Sequence, residues 1–298
     1  MNQAFSSFSV IIPTYRRPEQ LRTCLGALAR LDYPRNCSEV IVVNDGGEVP
    51  LEDIIAPFRD QLDVTLLIQK HAGPAAARNI GAARAKGEFL VFTDDDCAPA
   101  SNWLQSLASL FSKSSSCVIG GRTLNALGSN MYSTASQLLV NYLHAYHNAD
   151  PNRARFLTSN NLAIPADCFH SIGGFDKTFL RAAGEDRELC DRLLYHGYRV
   201  IYASEVVVYH AHALTLRSFW RQHFSYGRGA FRFRQVHTRR RHKHINLEPL
   251  SFYLNLLLYP FSQVRGWRAL LIVFLIVISQ IANAAGFLSE RINRIRST

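Results

Sequence analysis

A chain of 298 residues with 48% hydrophobic side chains can bury one large α/β core, or one domain and an appendage. Its charged content of 19% lies below the soluble average of about 25% and points toward membrane contact. With 33 basic and 23 acidic residues the net charge is +10, which favours anionic partners: phosphorylated substrates, anionic lipid or nucleic acid.

The six cysteines (Cys24, Cys37, Cys97, Cys117, Cys168, Cys190) contain no CxxC pair and no zinc-like spacing. Reduced thiols in a cytosolic domain are expected rather than a disulfide framework. The first apolar run stops at Pro13 with no basic leader before it, so no cleaved export signal is expected.

Residues 8–12 read as a buried strand. Pro18 then opens a helix in which Leu21, Leu25 and Leu28 share one face. Residues 40–43, 64–68 and 89–92 are three further strands. Between the last two lies an alanine-rich helix, 74–86, expected to close at Gly87. This alternation predicts a doubly wound, mostly parallel sheet with ligands at the carboxyl ends of its strands. Polar clusters stand at those ends: Pro13-Thr14-Tyr15, Asn44-Asp45-Gly46-Gly47 and Asp94-Asp95-Asp96.

The second half is less regular. Leu138, Tyr142 and Ala145 indicate a helix, residues 160–164 a strand, Gly173-Gly174 a turn, and 186–196 a helix ending at Gly197. Strands follow at 198–203 and 206–209. Beyond residue 247 the chain turns apolar, and 269–288 carries no charge over a length sufficient to cross a bilayer. Gln280 and Asn283 weaken that stretch, so it reads as a span, an interfacial helix or a buried core helix.

Four features carry chemistry. Asp94-Asp95-Asp96 follows a buried strand directly. Carboxylates spaced i, i+2 there project to one side and suit a divalent ion bridging diphosphate oxygens, although a solvated acidic loop has the same composition. Glu185 and Asp186 open a helix anchored by Leu189 and Leu193. They read either as first-turn acids or as a rigidly held general base. The small residues of Gly73-Pro74-Ala75-Ala76-Ala77-Arg78-Asn79-Ile80-Gly81 permit close helix–sheet packing and leave a helix N-terminus open to an anion, without Walker or GxGxxG spacing. His210, with His212 two residues on, ends a strand and reads as a structural histidine or a metal ligand.

In this order the clusters resemble glycosyltransferase family 2, inverting enzymes of GT-A fold, over about residues 8–229. The matching pieces are Ser9-Val10-Ile11-Ile12-Pro13-Thr14-Tyr15-Arg16-Arg17, Val42-Val43-Asn44-Asp45-Gly46-Gly47, Ala77-Arg78-Asn79-Ile80-Gly81 and Ala85-Lys86-Gly87-Glu88. Thr93-Asp94-Asp95-Asp96-Cys97, Ser159-Asn160-Asn161, Gly173-Gly174-Phe175-Asp176 and Gly184-Glu185-Asp186 complete them.

The resemblance implies that Pro13, Thr14, Tyr15, Arg16 and Asp45 hold the nucleotide, Asp45 through its base. It implies that Asp94 sits near the ribose and that Asp96, with Asp94 and His210, binds Mn²⁺ or Mg²⁺. Asp186 resembles the catalytic base and Glu185 its acceptor-contacting neighbour. Arg78, Asp95, Asn160 and Asn161 fall in the same pieces as further substrate-binding candidates. The Gln-x-x-Arg-Trp string of processive members is absent, and the chain instead reads Ser218-Phe219-Trp220-Arg221-Gln222-His223-Phe224, which favours one sugar per encounter.

From Arg217 to Lys243 the chain carries nine arginines and lysines and no carboxylate. As a helix, this segment puts Trp220, Phe224, Gly227 and Phe231 on one stripe and Arg217, Arg221, Arg228 and Arg232 on another. That pairing fits an anionic membrane boundary or the diphosphate of a polyprenyl-linked acceptor, with Trp220 and Arg221 as contacts, better than single-stranded nucleic acid.

The expected organisation is a GT-A domain at 1–214, with nucleotide-sugar binding in 1–100 and acceptor binding and the base in 101–214. A basic amphipathic segment follows at 215–246 and membrane-associated helices at 247–298. The positive-inside rule puts Arg239-Arg240-Arg241-His242-Lys243 in the cytoplasm. The basic tail 291–296, Arg265 and Arg268 leave the topology open, and nothing fixes the oligomeric state. The expected activity is metal-dependent inverting transfer from a nucleotide-diphosphate sugar, a UDP-sugar first, to a saccharide or lipid-linked hydroxyl in glycan or cell-envelope synthesis. Two rival readings are a sugar-phosphate nucleotidyltransferase, which lacks its Gly-rich lysine loop here, and an inactive membrane scaffold, whose acidic clusters ought to be damaged.

Overall fold

The computed structural model describes residues 5–47, 50–179, 183–242 and 248–295, so Lys243, Arg296 and the 246/247 boundary lie outside the described residues. In chain order the strands are β1 (Phe8–Thr14), β2 (Ser38–Asp45), β3 (Val64–Gln69), β4 (Phe89–Phe92), β5 (Cys97–Pro99), β6 (Val118–Asn125), β7 (Leu162–Pro165) and β8 (Val200–His210). The helices are α1 (Pro18–Leu28), α2 (Glu52–Ile55), α3 (Pro74–Arg84), α4 (Trp103–Phe111), α5 (Met131–His147), α6 (Ala166–Ser171), α7 (Glu185–Tyr195), α8 (Leu216–Arg241), α9 (Leu250–Gln263) and α10 (Trp267–Ile295).

All eight strands form one sheet of order β3-β2-β1-β4-β7-β6-β8-β5. The β3-β2-β1-β4 half is wholly parallel. Beyond β4 the sheet is mixed: β7 is antiparallel to β4 and β6, β8 is parallel to β6, and β5 is antiparallel to β8. β1 is buried along its whole length because both faces are covered. Val10 and Ile12 meet Leu21, Leu25 and Leu28 of α1 on one face, while Ile11 meets Ala75 and Ala82 of α3 on the other. Burying each such aliphatic side chain stabilises the fold by about 1.5–3 kcal/mol.

The small residues of α3 act as expected, since a Cβ on Gly81 would stand 2.6 Å from Ile11 Cγ2. Gly87 has a different task from closing that helix. Ala85 ends it with extended backbone, and Gly87 is required because a Cβ would meet the Phe8 carbonyl carbon and Ser9 nitrogen at 2.7 Å. Three further expectations shift. Residues 159–161 form a 3-10 turn, so β7 starts only at Leu162. The runs at 198–203 and 206–209 are a single strand, β8, with an irregularity opposite Gly121 and Arg122. The helix containing Leu138 and Tyr142 spans Met131–His147 and is capped by Asn130, whose side chain accepts from the Ser133 N–H.

Phe224, Gly227 and Phe231 of the α8 stripe pack on α10, while Trp220 at its start stays exposed. A Cβ on Gly227 would lie 1.9 Å from the Asn283 carbonyl oxygen, and one on Gly286 1.9 Å from that of Phe224. The two glycines therefore let α8 and α10 cross in backbone contact, with Phe231 edge-on to Phe287 at 5.2 Å. Arg228 and Arg232 are likewise committed, both to Glu290 at 2.6 and 2.7 Å. α10 is long and apolar enough to cross a membrane, with a mean hydropathy of 2.3 over its most apolar 18 residues, of which 33% is buried in the protein. Its other face, including Leu270, Phe274 and Ile281, is exposed together with Leu254, Leu258 and Phe261 of α9.

Candidate active site

The three aspartates after β4 do three different things. Asp95 and Asp96 lie in a turn directly after Asp94, so hydrogen-bond partners rather than strand alternation set where each carboxylate points. Asp94 turns to Arg78, which donates to it at 2.7 Å. Asp95 is 4% exposed and accepts from Thr14 Oγ1 at 2.7 Å and Arg17 at 3.2 Å. Burial pushes its pKa up to about 6, opposed by the Arg17 charge. Asp96 faces His210 Nε2 at 3.1 Å and Arg17 at 3.0 Å. Burial acts to raise Asp96, but the His210 hydrogen bond and the His210 and Arg17 charges hold it well below the ordinary carboxylate range.

The β5–β8 pairing sets Cys97 opposite His210, and the ligand atoms of Asp96, Cys97 and His210 lie within 4.8 Å of one another. A carboxylate oxygen and an imidazole nitrogen suit Mn²⁺ or Mg²⁺. Mn²⁺ and Mg²⁺ favour these two over the softer Cys97 thiol, which burial first, and the Asp94 and Asp96 charges after it, push well up. Between the two histidines, His210 is the one aimed at Asp96. His212 lies 5.0 Å away ring to ring and is pulled down to about 4 by burial and by the His210 charge.

The second acidic cluster joins the first through Arg78. This guanidinium is 2% exposed and donates to Glu185 Oε1 at 3.0 Å as well as to Asp94. Arg78, expected to touch substrate, is thus first a clamp between two carboxylates from different halves of the chain. Gly184, at φ +91°, turns the chain into α7 and presents Glu185 and Asp186 at the helix N-terminus. Glu185 is 2% exposed, and its Oε2 has no hydrogen-bond partner among the described residues. Burial and the adjacent Asp186 push it up to about 7, against the pull of Arg78. Asp186 is half-buried, accepts from the Arg187 N–H at 2.7 Å, and is raised by burial against that hydrogen bond and the Arg78 charge.

Arg78, Asp94, Asn160, Glu185, Asp186, His210 and His212 line one cavity of about 250 Å³. Its far wall is supplied by α5 (Ser136, Gln137, Leu139, Leu143) and α8 (Gln222, Tyr226, Phe233). Other expected contacts sit elsewhere. Asn161 is spent as a brace: it accepts from Trp103 Nε1 at 2.9 Å and donates to the Arg122 and Val206 carbonyls. Thr14 is spent on Asp95, and Pro13 is buried within β1. Trp220 and Arg221 are exposed on α8 outside the cavity, because the α8–α10 contact fixes which face of α8 turns inward. Asp45 is 3% exposed and already accepts from the Ala72 N–H at 2.8 Å, the Gly73 N–H at 2.9 Å, His71 and Gln69. The anion at the N-terminus of α3 is therefore this carboxylate, not an open site. Beside it Tyr15 stacks on His71 with centroids 4.3 Å apart, and Arg16, at φ +57°, lies over the Tyr15 ring.

Arg17, the last residue of the Ser9-to-Arg17 string, was not among the expected site residues, yet it donates to Asp95 and Asp96. Also missed were Gln222 and Tyr226, joined at 2.6 Å. Their i, i+4 spacing on a predicted helix was the available signal.

The family model for glycosyl transferase family 2 matches residues 9–177. Among curated relatives, the glycosyltransferase AglE of Haloferax volcanii is 27% identical over 213 residues, covering 70% of this chain and 68% of that one. The pre-mycofactocin glycosyltransferase of Mycobacterium tuberculosis is 29% identical over 229 residues, 74% of this chain but only 46% of its own length. Among solved structures, the Pyrobaculum calidifontis mannosyltransferase PcManGT in complex with GDP-Man and Mn²⁺ aligns with a TM-score of 0.67 at 18% identity, covering 96% and 88% of the two chains. Staphylococcus aureus TarS 1-349 in complex with UDP-GlcNAc aligns with a TM-score of 0.56 at 18% identity, covering 97% and 91%.

Proposed function

The chain belongs to glycosyl transferase family 2 and is a glycosyltransferase, and from that premise we propose that it moves one sugar, with inversion, from a nucleotide-diphosphate sugar to a hydroxyl of a saccharide or lipid-linked acceptor at the cytoplasmic face of a membrane. The observation that carries this reading is the Arg78 clamp, which holds Asp94 of the first acidic motif and Glu185 of the second in one cavity with Asp186. Asp186 takes the proton of the acceptor hydroxyl as the oxygen attacks the anomeric carbon, and the nucleoside diphosphate leaves from the opposite face. Asp96 and His210 would hold Mn²⁺ or Mg²⁺, which supplies charge neutralisation for the leaving diphosphate. Arg17 holds Asp95 and Asp96 in place from the other side.

A UDP-sugar is the first donor to test, because Asp45 has the position of the base-reading acid in the family resemblance. GDP-mannose comes next, since the mannosyltransferase neighbour carries GDP-Man. The exposed apolar faces of α9 and α10 support membrane attachment.

Two expectations follow from the site. Asp96→Ala should weaken Mn²⁺-dependent donor binding at least tenfold, read by titrating donor at several metal concentrations. An unchanged metal dependence would assign the metal to other ligands. The second concerns pH. A base acts unprotonated, and raised values in the Glu185–Asp186 pair mean that its proton persists to higher pH. The kcat/KM profile should therefore fall as pH drops through a limb above the ordinary carboxylate value of about 4. An acid limb at ~4 in that profile would contradict the burial argument.

A further inference from the structure

A second cleft of about 760 Å³ is lined in part by Arg187, Asp191 and Leu194 of α7. Arg153, Arg155, Arg187, Arg199 and Arg241 line it, against a single carboxylate, Asp191. That carboxylate is already taken by His237, Arg240 and Arg241 at 3.0, 2.7 and 3.0 Å. Arg199 bonds only the Asn152 amide oxygen, and Arg153, Arg155 and Arg187 make no ion pair among the described residues. Arg153, Arg155 and Arg199 are exposed and Arg187 half-buried, so four guanidinium groups without a carboxylate partner face one concavity that an anion can enter. Their forked donors match phosphoryl oxygens in particular.

Arg187 ties this cleft to the catalytic cavity. It is the residue after Asp186, and it lines both spaces together with Phe156 and Phe233. Its guanidinium lies half-buried over the Phe233 ring at 4.6 Å. Glu248, Asp186 and Asp191 act on it only through space. The adjoining catalytic cavity offers the apolar side chains Leu139, Val140 and Leu143 of α5. An anion bridging the two spaces thus has charge on one side, hydrocarbon on another and Asp186 close by.

We propose that this cleft binds the phosphate or diphosphate group of a lipid-linked acceptor and so brings the acceptor hydroxyl to Asp186; this rests on the transferase reading above. The test is binding of ³²P-pyrophosphate by the full-length protein in neutral detergent, with EDTA and without donor. Saturable binding is expected, at least tenfold weaker in Arg155→Gln/Arg199→Gln and in Arg187→Gln and unchanged in Asp96→Ala. Retained donor binding in the arginine variants reports that they fold. Farnesyl diphosphate should displace the label, and phosphatidylglycerol in mixed micelles should not. Absent binding, binding that survives the arginine replacements, or binding lost in Asp96→Ala overturns the proposal. Displacement by phosphatidylglycerol alone also overturns it, assigning the cleft to bilayer lipid. Because no turnover is measured, sugar transfer to a neutral acceptor by a protein that ignores pyrophosphate would leave the transferase reading intact while removing this one.

Discussion

Asp186→Asn is expected to lower kcat by about 10²–10⁴-fold, the range for removal of a general base, with donor and metal affinity unchanged. The replacement is nearly isosteric, and its amide oxygen can still accept from the Arg187 N–H that Asp186 now engages. What it removes is a partly accessible carboxylate whose burial raises its proton affinity. Steady-state turnover with donor binding measured separately decides the matter. A variant with wild-type kcat would remove Asp186 as the base, and one that also lost donor affinity would make it a structural residue. Glu185→Gln is a different experiment, because Glu185 also holds Arg78.

Arg78→Met is expected to destabilise the protein by about 3–5 kcal/mol, the cost of leaving buried charge without its partner. The guanidinium is 2% exposed and Glu185 beside it 2%, so water cannot replace the Glu185 contact, although it can reach the 30%-exposed Asp94 side chain. Arg78→Lys should fail as well, because one ammonium does not reproduce a planar fork spanning Asp94 and Glu185. Adding Glu185→Gln to Arg78→Met should recover part of the stability by removing the orphaned charge, without recovering activity. Denaturant unfolding of the three variants checks this. An Arg78→Met midpoint equal to wild type would show that the clamp contributes nothing to the fold.

The strands and helices around the nucleotide side were legible because their residues obey local rules. Leu21, Leu25 and Leu28 repeat at helical spacing and are buried, and the parallel half of the sheet follows from its β-branched runs. The family was legible because its motifs are contiguous strings. What stayed hidden was long-range partnership. Nothing local says that Arg78 meets Glu185 across 107 positions, or that Asn161 spends its amide on Trp103, Arg122 and Val206. The basic helix shows the same limit. Its arginines had no carboxylate nearby in sequence, yet Glu290 answers Arg228 and Arg232 from α10, and the same helix covers Phe224, Gly227 and Phe231 of the aromatic stripe while leaving Trp220 exposed. The Gly87 expectation failed for a related reason: the glycine answers to the backbone of Phe8 and Ser9, not to its own helix.

The most direct measurement is nucleoside diphosphate release by the protein in neutral detergent, across a panel of UDP- and GDP-sugars with Mn²⁺, with and without phosphorylated lipid and saccharide acceptors. At least one donor should give release that requires both metal and acceptor, that yields a product of inverted anomeric configuration, and that disappears in Asp186→Asn. Release that continues unchanged in Asp186→Asn, or a retained configuration in the product, would contradict the account.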